Sequence, residues 1–215
     1  MLLLSVFMVA TVGLVYELIA GTLASYLLGD SVLQFSTVIG DYLFAMGVGS
    51  FLAQYVSRKD PVLGFVRLQI LIGLVGGCSA ACMHLAFGYS GGFRVVLYSL
   101  VFVVGLLVGI EIPLLMQILK KHFGFRELVS QVLGLDYIGA LLASLLFPLF
   151  LVPNLGLMRT SFVCGIINVL VALAFFPSFP RMMQRYRGVL IEALVVLIVL
   201  GCGLGFSEEL TTLAE

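Results

Sequence analysis

Runs of about twenty apolar residues recur from one end of this 215-residue chain to the other. A helix of that length matches the hydrocarbon core of a bilayer, and few soluble folds have a use for it. With 62% hydrophobic and 10% charged residues, a soluble domain could not hide its apolar surface. Globules of this size bury only about 70% of what the unfolded chain exposes. The sequence therefore predicts an all-α polytopic membrane protein with the lipid bilayer as its first partner. The N-terminus is apolar from Leu2 onward, with no basic leader and no cleavage site, so it reads as a first span rather than a signal peptide.

Seven transmembrane helices are expected, over 2–28, 33–56, 66–87, 94–118, 129–152, 159–177 and 189–206. Turn chemistry separates them, including Gly29-Asp30-Ser31, Lys59-Asp60-Pro61, Gly91-Gly92 and Pro153-Asn154-Leu155-Gly156. The membrane domain is thus 1–206, followed by a juxtamembrane tail, 207–215. Arg58, Lys59, Arg67, Lys120, Lys121, Arg126, Arg181, Arg185 and Arg187 flank the even-numbered loops, against Arg94 and Arg159 at the odd ones. The excess of basic residues predicts a cytoplasmic N-terminus and an outside C-terminus. Small residues at close spacing (Gly47 and Gly49; Gly73, Gly76 and Gly77; Gly105 and Gly109; Gly139 and Ala143) predict helices packed backbone to backbone. Cys78, Cys82, Cys164 and Cys202 lie inside apolar runs and read as small buried hydrophobes, with no zinc pattern. No metal, cofactor or nucleic-acid partner is expected, and no catalytic motif is visible.

All lysines and arginines fall in loops or at span ends, whereas four acids lie well inside spans. Glu17, Asp41, Glu111 and Asp136 are each roughly 10 Å or more from the nearer end, at 1.5 Å per residue. An ionised carboxylate at such a depth costs a few kcal/mol or more, and none has a basic neighbour. Three states satisfy the physics: a protonated acid hydrogen-bonded to another helix, a carboxylate facing a wet cavity, or one binding an external cation. Tyr16, Tyr42 and Tyr137 adjoin three of the acids, and aromatic faces beside carboxylates suit organic ammonium groups. Neighbouring helix positions point about 100° apart, so bundle packing explains the tyrosines equally well. Pro113, two residues after Glu111, interrupts the hydrogen-bond ladder of the fourth span, a break tolerated beside a cavity.

The segments YELIAGTLASYLLGDSVLQFS, GDYLFAMGVGSFLAQYVSRKD, GIEIPLL and LGLDYIGALLASLLFPLFLVPNLGL resemble the integral-membrane domain that precedes the catalytic domain in some bacterial spermidine synthase (polyamine aminopropyltransferase) proteins. The resemblance covers essentially the whole chain, and SEELTTLAE resembles the junction to that catalytic domain. It implies a bacterial inner-membrane location and an association with polyamines. The family's soluble Rossmann-like domain, which binds decarboxylated S-adenosylmethionine, has no counterpart here, so no catalytic residue carries over. That donor is cytosolic, at odds with an outside C-terminus. GVGSFLAQYVSRKD also resembles the loop joining helices two and three of major facilitator transporters. This implies one half of such a fold plus one helix, and a homodimer to enclose a path. The expected ligand site is Glu17, Asp41, Glu111 and Asp136 with Tyr16, Tyr42 and Tyr137, holding a polyamine or related cation, with Asp41 sharing it most closely with Glu17. A membrane anchor with no ligand of its own, or a proton-coupled carrier, would use the same residues differently.

Overall fold

In the computed structural model, residues 2–56, 60–89, 92–120, 124–178 and 187–207 are described, and they contain helices and no strand. The helices are α1 (Leu2–Leu28), α2 (Ser31–Leu52), α3 (Pro61–Tyr89), α4 (Phe93–Leu119), α5 (Phe125–Leu146), α6 (Val152–Ser178) and α7 (Arg187–Gly205), with a π-helical turn Phe147–Leu151 between α5 and α6. Arg58, Lys59, Lys121, Arg181, Arg185 and the tail 208–215 lie outside the described residues.

Local chemistry sets the boundaries. Gly29 (φ 70°) and Asp30 (φ 46°) take the left-handed conformation that ends α1, and the Asp30 carboxylate accepts the Leu33 amide at 3.3 Å to start α2. Pro61 opens α3 at the first helical position, where a missing N–H costs nothing, and Asp60 accepts the Leu63 amide at 3.2 Å. α4 continues through Pro113 to Leu119.

Among the described residues six helical stretches are long and apolar enough to cross a membrane, not the seven expected. The expected spans 129–152 and 159–177 belong to one stretch, Arg126–Phe175, because the chain stays helical through Pro153 and Asn154. Pro148 is accommodated at the start of the π turn, where the Val152 amide reaches the Phe147 carbonyl. Straight, these 50 residues would extend about 75 Å, over twice a hydrocarbon core. They are not straight. Gly156 (φ 71°, ψ 175°) leaves helical geometry, and Thr160 Oγ1 lies 3.5 Å from the Leu151 carbonyl oxygen. Nine residues of straight helix would separate that pair by about 13.5 Å, so the chain folds back at Gly156.

The fold-back depends on a backbone conformation that essentially only glycine adopts. Gly156→Ala is expected to lower unfolding stability by about 1–3 kcal/mol, read as a fall in melting temperature of the detergent-purified chain. Gly201→Ala, at a helical position with open space around it, should not lower it.

Packing follows the glycines. A Cβ on Gly49 or Gly109 would run into the backbone of Leu106 or Met46, so α2 and α4 lie against each other almost without side chains between them. Gly73, Gly77 and Gly165 do the same for α3 and α6, where the Ser161 hydroxyl also reaches the Gly76 and Gly77 carbonyls at 2.7 and 2.9 Å. Gly165 against Gly73 and Phe175 against Phe65 (ring centroids 4.6 Å apart) show that α6 runs antiparallel to α3. The C-terminal end of α7 closes on the start of this arm, where Arg159 Nε donates to the Ser207 hydroxyl at 3.0 Å. α1 is the hub, touching α2, α3, α4, α5 and α6. The outer surface is strongly apolar, with Phe44, Phe51, Leu141, Leu149 and Ile198 all more than half exposed. Such a surface is compatible with a membrane protein.

Candidate functional site

Because α1 is central, the face carrying Tyr16 and Glu17 meets several helices at once. Tyr42 reaches from α2 to donate its hydroxyl hydrogen to the Gly13 carbonyl at 2.8 Å, and it is 3% exposed. A carbonyl at that position is already bonded along the helix, so the phenol uses its second lone pair. From α6, Asn168 donates to the Tyr16 hydroxyl at 3.2 Å, again in the interior. The two phenols thereby tie α1 to α2 and to the far arm of the fold-back.

Around these phenols lie three of the predicted acids. Tyr42 is within Coulombic range of Glu17, Glu111 and Asp136; Tyr16 is within range of Tyr42 and Glu111, and Glu111 of Asp136. Glu111 is 2% exposed, and its Oε1 has no hydrogen-bond partner in the protein. Glu17 and Asp136 are half-buried. The carboxylates come from three different helices, Glu17 from α1, Glu111 from α4 and Asp136 from α5. Asp136 precedes Gly139, which packs on Phe7–Thr11, whereas Tyr42 packs on Gly13. Among the described residues no three His, Cys, Asp or Glu side chains are placed to hold one metal ion. Arg67 and Glu192 form an ion pair at 3.8 Å, but among the described residues no basic side chain pairs with Glu17, Asp41, Glu111 or Asp136.

Two predicted residues stand apart. Asp41 is half-buried with Oδ2 unpartnered, and among the described residues no interaction joins it to Glu17. Tyr137 is on the outside, 68% exposed. Both follow from the 100° step between helix neighbours: Tyr42 and Asp136 turn inward, and Asp41 and Tyr137 turn away. The sequence reading missed Asn168, and also Gln69, which is fully buried with both amide atoms unpartnered. The signal was available, since each is an amide within an apolar run.

A free volume of about 10 Å³ lies beside the two phenols, bounded by Tyr16, Ala20, Tyr42, Ser79, Met83 and Leu100. That is room for about one water. The helices therefore close tightly over the phenols.

Long apolar helices about a central one, with carboxylates unmatched by any cation among the described residues, are compatible with a membrane protein carrying interior acids. Comparison with known proteins supplies a more specific relation. The chain is 50% identical over 212 residues to the polyamine aminopropyltransferase of Leptospira interrogans, covering 99% of this chain and 42% of that protein. It is 51% identical over 221 residues to polyamine aminopropyltransferase 2 of Ralstonia nicotianae (100% and 43%), and 38% identical over 222 residues to polyamine aminopropyltransferase 1 of Streptomyces coelicolor (100% and 41%). The chain is thus related to proteins of that name, and spans about two fifths of their length. No family model and no solved structure matches it.

Proposed function

We propose that this chain is the membrane-embedded module of a polyamine aminopropyltransferase-like protein and that it binds a polyamine or related organic cation. The observation that carries this reading is the set of three carboxylates, Glu17, Glu111 and Asp136, from three helices around Tyr42, with no basic side chain paired to any of them among the described residues. Buried charge demands a partner, and a partner from outside the chain must be cationic. Three acids on three helices suit a polycation better than a single monovalent ion, and buried phenols favour ammonium groups. The relatives' name supplies polyamines as the class of ligand. In this reading the module lies in a bacterial inner membrane, with its N-terminus cytoplasmic and the α7 end outside, the stretch Arg126–Phe175 crossing twice through its fold-back at Gly156. A homodimer covers the half-buried acids, Asp41 among them.

A second reading has one observation in its favour. The cavity of about 10 Å³ beside the phenols admits no polyamine unless helices part, as in a module that only anchors an enzyme domain. The two are separated by melting the purified chain in a spermidine titration, with sodium and magnesium controls at matched ionic strength. A ligand of the folded state raises the melting temperature by mass action, by about 2.7 kcal/mol of stability at a hundredfold excess over Kd. Saturable stabilisation that Glu17→Gln weakens is the expected result. A spermidine response no larger than the salt controls would leave the anchor reading standing.

A further inference from the structure

A second recess lies away from the acids. Where α2 ends, the N-terminal half of α3 and the middle of α4 enclose an open cleft of about 440 Å³, within the range of small-molecule sites. Its walls are aliphatic, formed by Val56, Leu63, Leu68, Leu71 and Leu107, with Gly64 widening it on the α3 side. The charged member of the lining is Arg67.

Arg67 is more than half exposed, and its guanidinium faces Glu192 of α7 at 3.8 Å. That distance is too long for a good hydrogen bond, and a pair so exposed contributes little. Most of the five guanidinium donors thus remain available to an incoming anion, and their fork matches phosphate. Arg67 is six residues from the start of α3, roughly 9 Å along the axis, about the depth of a lipid headgroup region when the helix crosses a bilayer. The aliphatic walls run on from it toward the bundle middle, past Leu71 and Leu107. Among the described residues the lining offers no aromatic face or amide that would hold a base or a sugar, and its charge, Arg67, opposes a polyamine.

We infer that this cleft is a binding site for an anionic phospholipid, its phosphate on Arg67 and one acyl chain along α3 and α4. The inference rests on the membrane placement proposed above, and not on the polyamine reading. Glu192 then acts as a competitor for the guanidinium, which sets this site apart from a simple salt bridge. If the Arg67–Glu192 pair were only a strut between α3 and α7, neutralising either partner would have the same effect. At a phospholipid site the two substitutions have opposite effects on lipid binding.

The test is the melting temperature of the full chain in detergent, titrated with phosphatidylglycerol or phosphatidylcholine, with inorganic phosphate as a third arm. Phosphatidylglycerol is expected to stabilise saturably and at lower concentration than phosphatidylcholine. Arg67→Gln should weaken the phosphatidylglycerol response about fivefold, the effect of one basic side chain at an anionic lipid surface, and bring the two lipids level. Glu192→Gln, which keeps Arg67, should strengthen the response, and Gly64→Leu should reduce it by filling the cleft. Equal responses to the two lipids, a Glu192→Gln variant no more responsive than the parent, or a full response to inorganic phosphate alone would each overturn the site. The membrane placement is checked separately, by whether the chain stays with membranes on alkaline extraction.

Discussion

Replacing Gly109 by leucine is expected to be the most damaging single change in this protein. Even a Cβ at Gly109 would collide with the Met46 carbonyl and Cα, atoms of the α2 backbone that cannot turn aside as a side chain could. Gly105, one turn earlier, brings the same two helices together, where a Cβ would stand 2.9 Å from the Tyr42 carbonyl oxygen. Relief requires α2 to move off α4. Overpacking a tight core costs typically 1–3 kcal/mol and sometimes more. A side chain forced against backbone belongs at the upper end, so a loss of at least about 3 kcal/mol is expected. Domains hold only about 5–15 kcal/mol in all, and most of the purified Gly109→Leu protein should fail to give a cooperative melt. Gly47→Leu provides the contrast. It lies on α2, with nothing within 4 Å of its Cβ position, and should fold. A Gly109→Leu protein as stable as its parent would mean that α2 and α4 do not pack as described.

The second large effect concerns Glu111, and it has two parts with opposite signs. Glu111 is 2% exposed with Oε1 unpartnered, and a buried polar group left without a bond costs about 1–3 kcal/mol. Glu111→Leu removes that group at similar volume, so the ligand-free protein should melt at a higher temperature, by an equivalent of about 1–3 kcal/mol. The same change removes one carboxylate from the proposed polyamine site. Two unit charges 4 Å apart interact by about 4 kcal/mol at an effective dielectric constant of 20, before desolvation is subtracted. A net loss of about 1.4–2.8 kcal/mol, or tenfold to a hundredfold in Kd for spermidine, is therefore expected. Greater stability with weaker binding marks a group kept for a ligand. If Glu111 were instead a hydrogen-bonded packing element, Glu111→Leu would lower the melting temperature, and that outcome would count against the reading.

Much of this was legible in the sequence, for reasons particular residues make plain. The first helix was expected over 2–28 and is Leu2–Leu28; the fourth, over 94–118, is Phe93–Leu119. Long apolar runs closed by Gly29-Asp30 or Gly92 leave little choice. α2 stops at Leu52, short of 56, in a series of turns after Gly49, and α3 starts at Pro61, ahead of 66. There hydropathy gave no edge, whereas Asp60-Pro61 was the better marker. The break expected over Pro153–Gly156 falls at its last residue, but its form was misread. Pro153, Asn154 and Gly156 suggested a loop, whereas a π turn absorbs Pro148, the helix runs on through Pro153, and the chain folds back at Gly156 alone. Sequence separation hides such a compensation because it depends on i→i+5 bonding that no residue type announces.

The acids were found by the cost of a charge in an apolar run, which needs no structure. Their grouping was not, since it depends on which way each helix turns. Glu17, Glu111 and Asp136 share Tyr42, whereas Asp41, the neighbour expected for Glu17, has no interaction with it. Asn168 was overlooked because attention went to charge, although a buried amide obeys the same rule in a milder form.

The central claim is that these carboxylates hold a polyamine. It is tested most directly by equilibrium binding of labelled spermidine to the detergent-purified chain, beside a triple variant carrying Glu17→Gln, Glu111→Gln and Asp136→Asn. The account predicts saturable binding by the parent chain and an affinity at least about a thousandfold lower in the triple variant, at roughly tenfold per lost carboxylate, with the variant still melting cooperatively. Equal binding by the two proteins, or none by the parent, would contradict it.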